Sequence, residues 1–187
     1  ARAERDRQAS ERRARRLATV VEQSPSMVVL MSPDGTILDV NAAFTTATGY
    51  ARDEAMGRTA AELLRDPDAD DVGREIAAAM AAGAIWRGEI RNRRKDGSFY
   101  WEAATLAPIR DADGTVRSYT KLAEDVTERK ALAERLDHLA RHDRLTGLPN
   151  RSAFLERIET ALPLARRAGR HAAVLGIDLD NFKLVNE

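Results

Sequence analysis

Cysteine is absent from the 187 residues, and its absence excludes disulfides, iron–sulfur clusters, thiolate zinc sites and cysteine nucleophiles. It also suits a reducing cytoplasm. Neither charge is in excess: 30 Lys and Arg balance 30 Asp and Glu, for a formal net charge of +0. No global basic field therefore argues for nucleic acid, and no acidic excess argues for a disordered tail. No apolar run approaches the roughly 20 residues that cross a bilayer, and no signal peptide is visible. Histidine is scarce. No pair among His138, His142 and His171 has metal-site spacing with a neighbouring carboxylate that repeats, so surface or capping roles suit them best. The length fits one full domain plus part of another, soluble and cytoplasmic. The chain opens on Ala and stops just after an apolar strand pattern, as expected of a piece cut from a longer protein whose other parts are free to include a membrane anchor.

Residues 1–24 begin with an arm holding seven Arg and three acidic residues in its first 16 positions, with only Ala as apolar filler. It reads as a solvated helix or the tail of an upstream coiled coil. A basic arm for lipid or nucleic acid would need interleaved aromatics or a counted Arg stripe. Ser24-Pro25 ends it, because the residue before proline is pushed out of helical geometry.

From Pro25 the pattern changes. Two short β-type runs flank Pro33-Asp34-Gly35, a hairpin-turn signal. Asn41 then opens a helix in which Phe44 and Thr48 share a face and Gly49 closes the turn. A short helical turn follows, and then an acidic run, Asp66 to Asp71. As an EF-hand loop this run would need Gly at Asp71 and Glu at Ala77, so it is better read as a helix start, with Asp70 or Asp71 capping. The helix ends at Gly83. Three more β-type runs, separated by Asp96-Gly97 and Asp113-Gly114, complete an order that fits α+β, with helices gathered on one face of a curved antiparallel sheet.

Several residues in this stretch fall into a recognisable series: Pro33-Asp34-Gly35, Asn41 with Phe44, Gly49-Tyr50, Trp86-Arg87-Gly88-Glu89, Arg94-Lys95-Asp96-Gly97, Pro108-Ile109, Asp113-Gly114 and Asp125 to Lys130. In that order and at those separations the segment 25–126 resembles a PAS domain with its trailing PAC portion. The resemblance implies a five-stranded antiparallel sheet that, with its helices, encloses a small ligand, and a last strand that feeds a signalling helix. No His lies between Pro25 and Thr127, which argues against a His-ligated haem. A flavin–cysteine bond, as in light-sensing relatives, is impossible without Cys. Flavin bound non-covalently (FAD) remains open, because Trp86 and Asn92 followed by Arg-Arg-Lys-Asp-Gly are similar to the pattern around the flavin of redox-sensing PAS domains. There a ring can stack and an amide can bond the isoalloxazine edge. The competing reading is an empty pocket or an unidentified small-molecule ligand, with Trp86, Tyr100 and Trp101 as ordinary sheet residues. Strand alternation forbids Tyr100 and Trp101 from both pointing inward.

Between Thr127 and His142 there is neither Gly nor Pro, and helix formers dominate, so a helix of about four turns is expected, capped by Asp125 or Thr127. Leu132, Leu136 and Leu139 follow at spacings of four and three and form one narrow stripe, closer to a coiled-coil seam than to a core face. A homodimer through these linker helices is the expectation. Gly147 and Pro149 then enforce a turn.

Residues 143–187 begin a second domain. Asn150 or Ser152 caps a helix carrying Phe154, Ile158 and Leu162 on one face. The apolar run Ala172 to Leu179 reads as a central strand covered on both faces. It ends in Asp178 and Asp180, which alternation points to opposite sides, so that only one need hold a metal. A strand-end Asp before a helix start is a reasonable place for Mg²⁺ and a nucleotide phosphate. Asp143 to Arg151, Phe154, Asp178 to Lys183 and Asn186 together resemble the beginning of a GGDEF domain, the diguanylate cyclase family. That resemblance implies an α/β start in which Asp178 and the Leu179 carbonyl hold Mg²⁺, amides around Asn181, Phe182 and Lys183 hold GTP phosphates, and Asn186 bonds guanine. Glu187 stands where the family usually has Asp. The Gly-Gly-Asp/Glu-Glu-Phe hairpin is not in these residues, so the chain by itself is expected to be inactive. The resulting expectation is a sensory module controlling synthesis of cyclic di-GMP from two GTP in an intact parent. The alternatives are a degenerate GGDEF domain and a GGDEF-EAL phosphodiesterase.

Overall fold

The computed structural model describes residues 2–64, 66 and 70–177. The chain divides into two compact units, residues 1–130 and 131–187.

In the first unit, α1 (Arg2–Glu22) leads into β1 (Met27–Met31) and β2 (Ile37–Val40). Four helices follow, α2 (Ala42–Thr48), α3 (Arg52–Ala55), α4 (Ala60–Leu64) and α5 (Asp70–Ala81), and then β3 (Trp86–Arg93), β4 (Phe99–Arg110) and β5 (Val116–Asp125). All strand pairs are antiparallel, in the order β2-β1-β5-β4-β3. The chain thus starts one strand in from the β2 edge, leaves through the helices and returns along the far edge, with β5 last into the centre.

The turns follow from local chemistry. Asp34, Asp96 and Asp113 each accept a bond on Oδ1 from the amide two residues on, at 3.1, 2.9 and 3.0 Å. Each is followed by a glycine with φ of 88°, 88° and 85°, a region that other residues enter at a cost. Asn41 does more than cap. Its Oδ1 accepts from Phe44 N at 3.2 Å and Val28 N at 2.9 Å, while Nδ2 donates to the carbonyls of Val21 and Ser26, both at 3.0 Å. This buried amide ties the end of α1, the entry to β1 and the start of α2 together, with its full bonding capacity used.

Alternation sets the core. Tyr100, Ala104 and Leu106 of β4 and Tyr119 and Ala123 of β5 face the helices and pack with Val29, Ile37, Phe44 and Leu64. Trp101 takes the opposite face and is half-buried.

In the second unit Asp143 organises the turn. Its Oδ1 accepts from the amides of Leu145 and Thr146 and from the Thr146 hydroxyl, at 3.1, 3.0 and 2.9 Å. Asn150 caps α7 (Arg151–Arg167) by accepting from Ala153 N at 3.0 Å, and donates from Nδ2 to the Ala140 carbonyl at 2.7 Å. The expected central strand is not formed over 172–177, where Leu175 and Ile177 are 82% and 79% exposed. A strand exists only through bonds to a neighbouring strand, and the described residues of this unit supply none. Asp178, Leu179, Asn181, Phe182, Lys183 and Asn186 lie outside the described residues.

Candidate functional site

Between the sheet and the helices lies a cavity of about 620 Å³, within the ~300–1,000 Å³ usual for small-molecule sites. Leu64, Ile76, Met80, Ile90 and Leu106 make most of its wall apolar. Both residues singled out for flavin line it. Asn92 is buried and stands directly across the β3–β4 ladder from Tyr100. The Trp86 indole lies against Gly88, so close that a Cβ there would come 2.5 Å from the ring. Its N–H donates to Glu75 on α5 at 3.4 Å.

The floor of the cavity holds an ion pair that strand reasoning did not single out. Lys121 of β5 donates to Glu102 Oε1 of β4 at 2.7 Å, with Glu102 fully buried and Lys121 8% exposed. The Tyr100 hydroxyl donates to the other carboxylate oxygen at 3.3 Å. Burial pushes the phenol far above its ordinary pKa, and the adjacent carboxylate adds to the shift. The signal was present in the sequence: Tyr100, Glu102, Ala104 and Leu106 share one strand face, so Glu102 is a charge at a core position. The cross-strand register that sets Lys121 against Leu106, two same-face positions along β4 from Glu102, was not readable there.

From this floor a chain of contacts runs to α6 (Thr127–Arg141). The Arg94 guanidinium lies 4.4 Å over the Tyr100 ring, donates to Asp125 at 2.6 Å and donates to the Ala47 carbonyl. Asp125 in turn accepts from Thr127 N at 2.9 Å, at the first turn of α6. Burial raises the Asp125 pKa, but the bonds from Arg94 and Thr127 outweigh it, and the carboxyl sits below its ordinary 3.8. The Thr127 hydroxyl is occupied elsewhere, accepting from Trp101 N at 2.8 Å, while Val126 N donates to Trp101 O at 2.8 Å. Lys130 pairs with Glu89 and lies 4.4 Å over the Trp101 ring. The start of α6 is therefore bonded to β4 by its backbone and clamped to β3 by charge.

An antiparallel sheet in the order β2-β1-β5-β4-β3, enclosing a cavity and ending in a tethered helix, is the arrangement that the sequence resemblance implied. The family model described as PAS fold matches residues 21–131. The chain belongs to the PAS family. The model described as the diguanylate cyclase GGDEF domain matches residues 140–187, so the PAS domain is joined to the start of a GGDEF domain. An uncharacterized signaling protein of Caulobacter vibrioides is 33% identical over 181 residues, covering 94% of this chain and 20% of that protein. "Probable diguanylate cyclase DgcE" of Escherichia coli is 26% identical over 175 residues, covering 92% and 16%. A solved light-oxygen-voltage domain studied with a flavin analogue is 28% identical with a TM-score of 0.55, covering 65% of this chain and 92% of that one. The chain spans 22%, 20% and 25% of the length of the first curated relatives it matches. Among the described residues, no group of acidic or histidine side chains is placed to hold a metal, and no helix is long and apolar enough to cross a membrane.

Proposed function

We propose that this chain is the sensing and coupling part of a diguanylate cyclase that condenses two GTP into cyclic di-GMP with release of pyrophosphate. The observation that carries this reading is α6. It starts bonded to the PAS sheet through Asp125, Val126 and Lys130, and continues without a break to Arg141, inside the segment matched by the GGDEF family. A small molecule in the cavity acts on Glu102, Tyr100 and Arg94, and through Asp125 on the cap of α6. Leu132, Leu136 and Leu139, 57%, 58% and 45% exposed, then form the seam with a second copy, so that the signal changes how two cyclase domains meet.

Flavin is the ligand favoured by Trp86 and Asn92. The cavity fits it: an apolar wall suits the ring system, and the buried Asn92 amide suits its polar edge. When bound, a flavin would supply redox sensitivity. In the cyclase domain the Asp178 carboxylate and the Leu179 carbonyl are hard oxygen donors suited to Mg²⁺, whose charge offsets that of the GTP phosphates. Amides of Asn181, Phe182 and Lys183 hold those phosphates, and Asn186 reads guanine. Domain limits of 1–24, 25–126, 127–142 and 143–187 go with this reading, as does a cytoplasmic location for the segment.

The test is cyclic di-GMP synthesis from GTP by the purified intact protein, with and without Asp178→Ala. Product that disappears in the variant supports the reading. GTP binding without product in the unaltered protein would instead favour a degenerate domain.

A further inference from the structure

The cavity floor is electrically closed. Glu102 and Lys121 cancel each other, and both oxygens of Glu102 are already engaged, one by Lys121 Nζ and one by the Tyr100 hydroxyl. An ammonium has three N–H groups. Glu102 takes one, and among the described residues Lys121 makes no other side-chain hydrogen bond. The bonding capacity left on this floor is therefore that of a donor. Around it stand Leu64, Ile76, Met80, Ile90 and Leu106, none of which can bond a polar substituent, and the other charged residues of the lining are either exposed, Asp34 and Arg74, or paired, Arg91 with Asp66.

A buried ion pair is weak support for stability, since desolvating both charges offsets their attraction. Here it shapes what the cavity accepts. A carboxylate ligand would place a second anion beside Glu102 and compete with it for Lys121. An amine would compete with Lys121 for Glu102. Either would leave one buried charge without its partner, the costly outcome in a partly dry site. A neutral oxygen acceptor adds a bond to Lys121 and disturbs nothing.

We propose that the cavity takes an uncharged, largely apolar molecule bearing a carbonyl oxygen of the ketone, amide or quinone kind, and that this oxygen accepts from the Lys121 ammonium while Glu102 stays paired. The proposal deepens the sensor reading and rests on this cavity being the sensing site. It does not depend on flavin, whose carbonyls are only one example of the class.

The test is direct binding to the 187-residue chain, followed by quenching of tryptophan fluorescence and checked by calorimetry. Four probes are used: menadione and riboflavin as neutral carbonyl compounds, decanoate as a carboxylate and decylamine as an amine. Menadione is usable because the chain has no thiol for it to arylate. The expected result is saturable binding of at least one neutral probe, about tenfold or more tighter than decanoate or decylamine. The double variant Glu102→Leu/Lys121→Met keeps volume and removes both charges, so it should stay folded and lose about tenfold or more of that affinity. Decanoate or decylamine binding as tightly as the neutral probes would overturn the proposal. So would undiminished binding by the double variant, or no binding of any of the four. These results leave the cyclase reading standing, because that reading is decided by product formation in the intact protein.

Discussion

Arg94 holds Asp125 at 2.6 Å, and the other oxygen of the same carboxylate accepts from Thr127 N at 2.9 Å. One side chain thus ties the β3–β4 hairpin to the first turn of α6. The first four amides of a helix lack intrahelical partners, and a capping carboxylate is worth roughly 0.5–2 kcal/mol. Asp125→Ala should raise amide exchange in the first turn of α6 about fivefold, for ~1 kcal/mol, while leaving β1 and β5 near Val29 protected. Hydrogen exchange read by mass spectrometry checks this, and equal protection in variant and wild type would remove the cap from the relay.

The same carboxylate gives a pH dependence of known sign. Its pKa in the fold lies below the ordinary 3.8, so the folded state favours the ionised form. The resulting stability is fully present above about 3.8, taken as the unfolded value, and is lost as pH falls through the lower folded value. Urea midpoints for the chain and for Asp125→Asn should therefore differ most at neutral pH and converge below about 3.8. A gap that widened in acid would contradict the assigned bonds.

Glu102 and Lys121 make a sharp contrast between single and double changes. Lys121→Met leaves the fully buried Glu102 carboxylate without its cation, and truncating one partner of a buried pair costs about 3–5 kcal/mol. Replacing both by apolar residues of similar volume is often neutral or stabilising. Lys121→Met should therefore unfold at much lower denaturant than Glu102→Leu/Lys121→Met, whose midpoint should be close to that of wild type. Equal losses in the two variants would mean that the pair is not closed as described.

Much of this fold was legible in the residues, and the parts that were not share a cause. The Asp-Gly turns at 34–35, 96–97 and 113–114, the Asn41 cap and the opposite facing of Tyr100 and Trp101 all follow from chemistry within a few positions. The flavin pattern likewise led to two cavity residues, Trp86 and Asn92. Glu102 with Lys121, and Arg94 with Asp125, needed the register of β3, β4 and β5, which is fixed by packing across the sheet rather than along one strand. The run over 172–177 erred the other way: its apolar content is right for a buried strand, but a strand is defined by a neighbour to bond.

The stripe on α6 supports a last expectation. Leu132, Leu136 and Leu139 are 57%, 58% and 45% exposed on a helix with no buried residue, so nothing within the helix's own contacts offsets the cost of that apolar surface in water. Pairing with the same stripe of a second copy would bury each leucine for about 1.5–3 kcal/mol. Leu136→Asp removes that burial twice per dimer and sets two like charges at the seam, so the dissociation constant should rise about 100-fold or more. Sedimentation of the chain across a concentration series measures it: wild type should dimerise and the variant remain monomeric at the same concentrations. In the intact protein the same change should uncouple cyclic di-GMP synthesis from occupancy of the cavity. A variant that still sediments as wild type does would place the dimer contact somewhere other than α6.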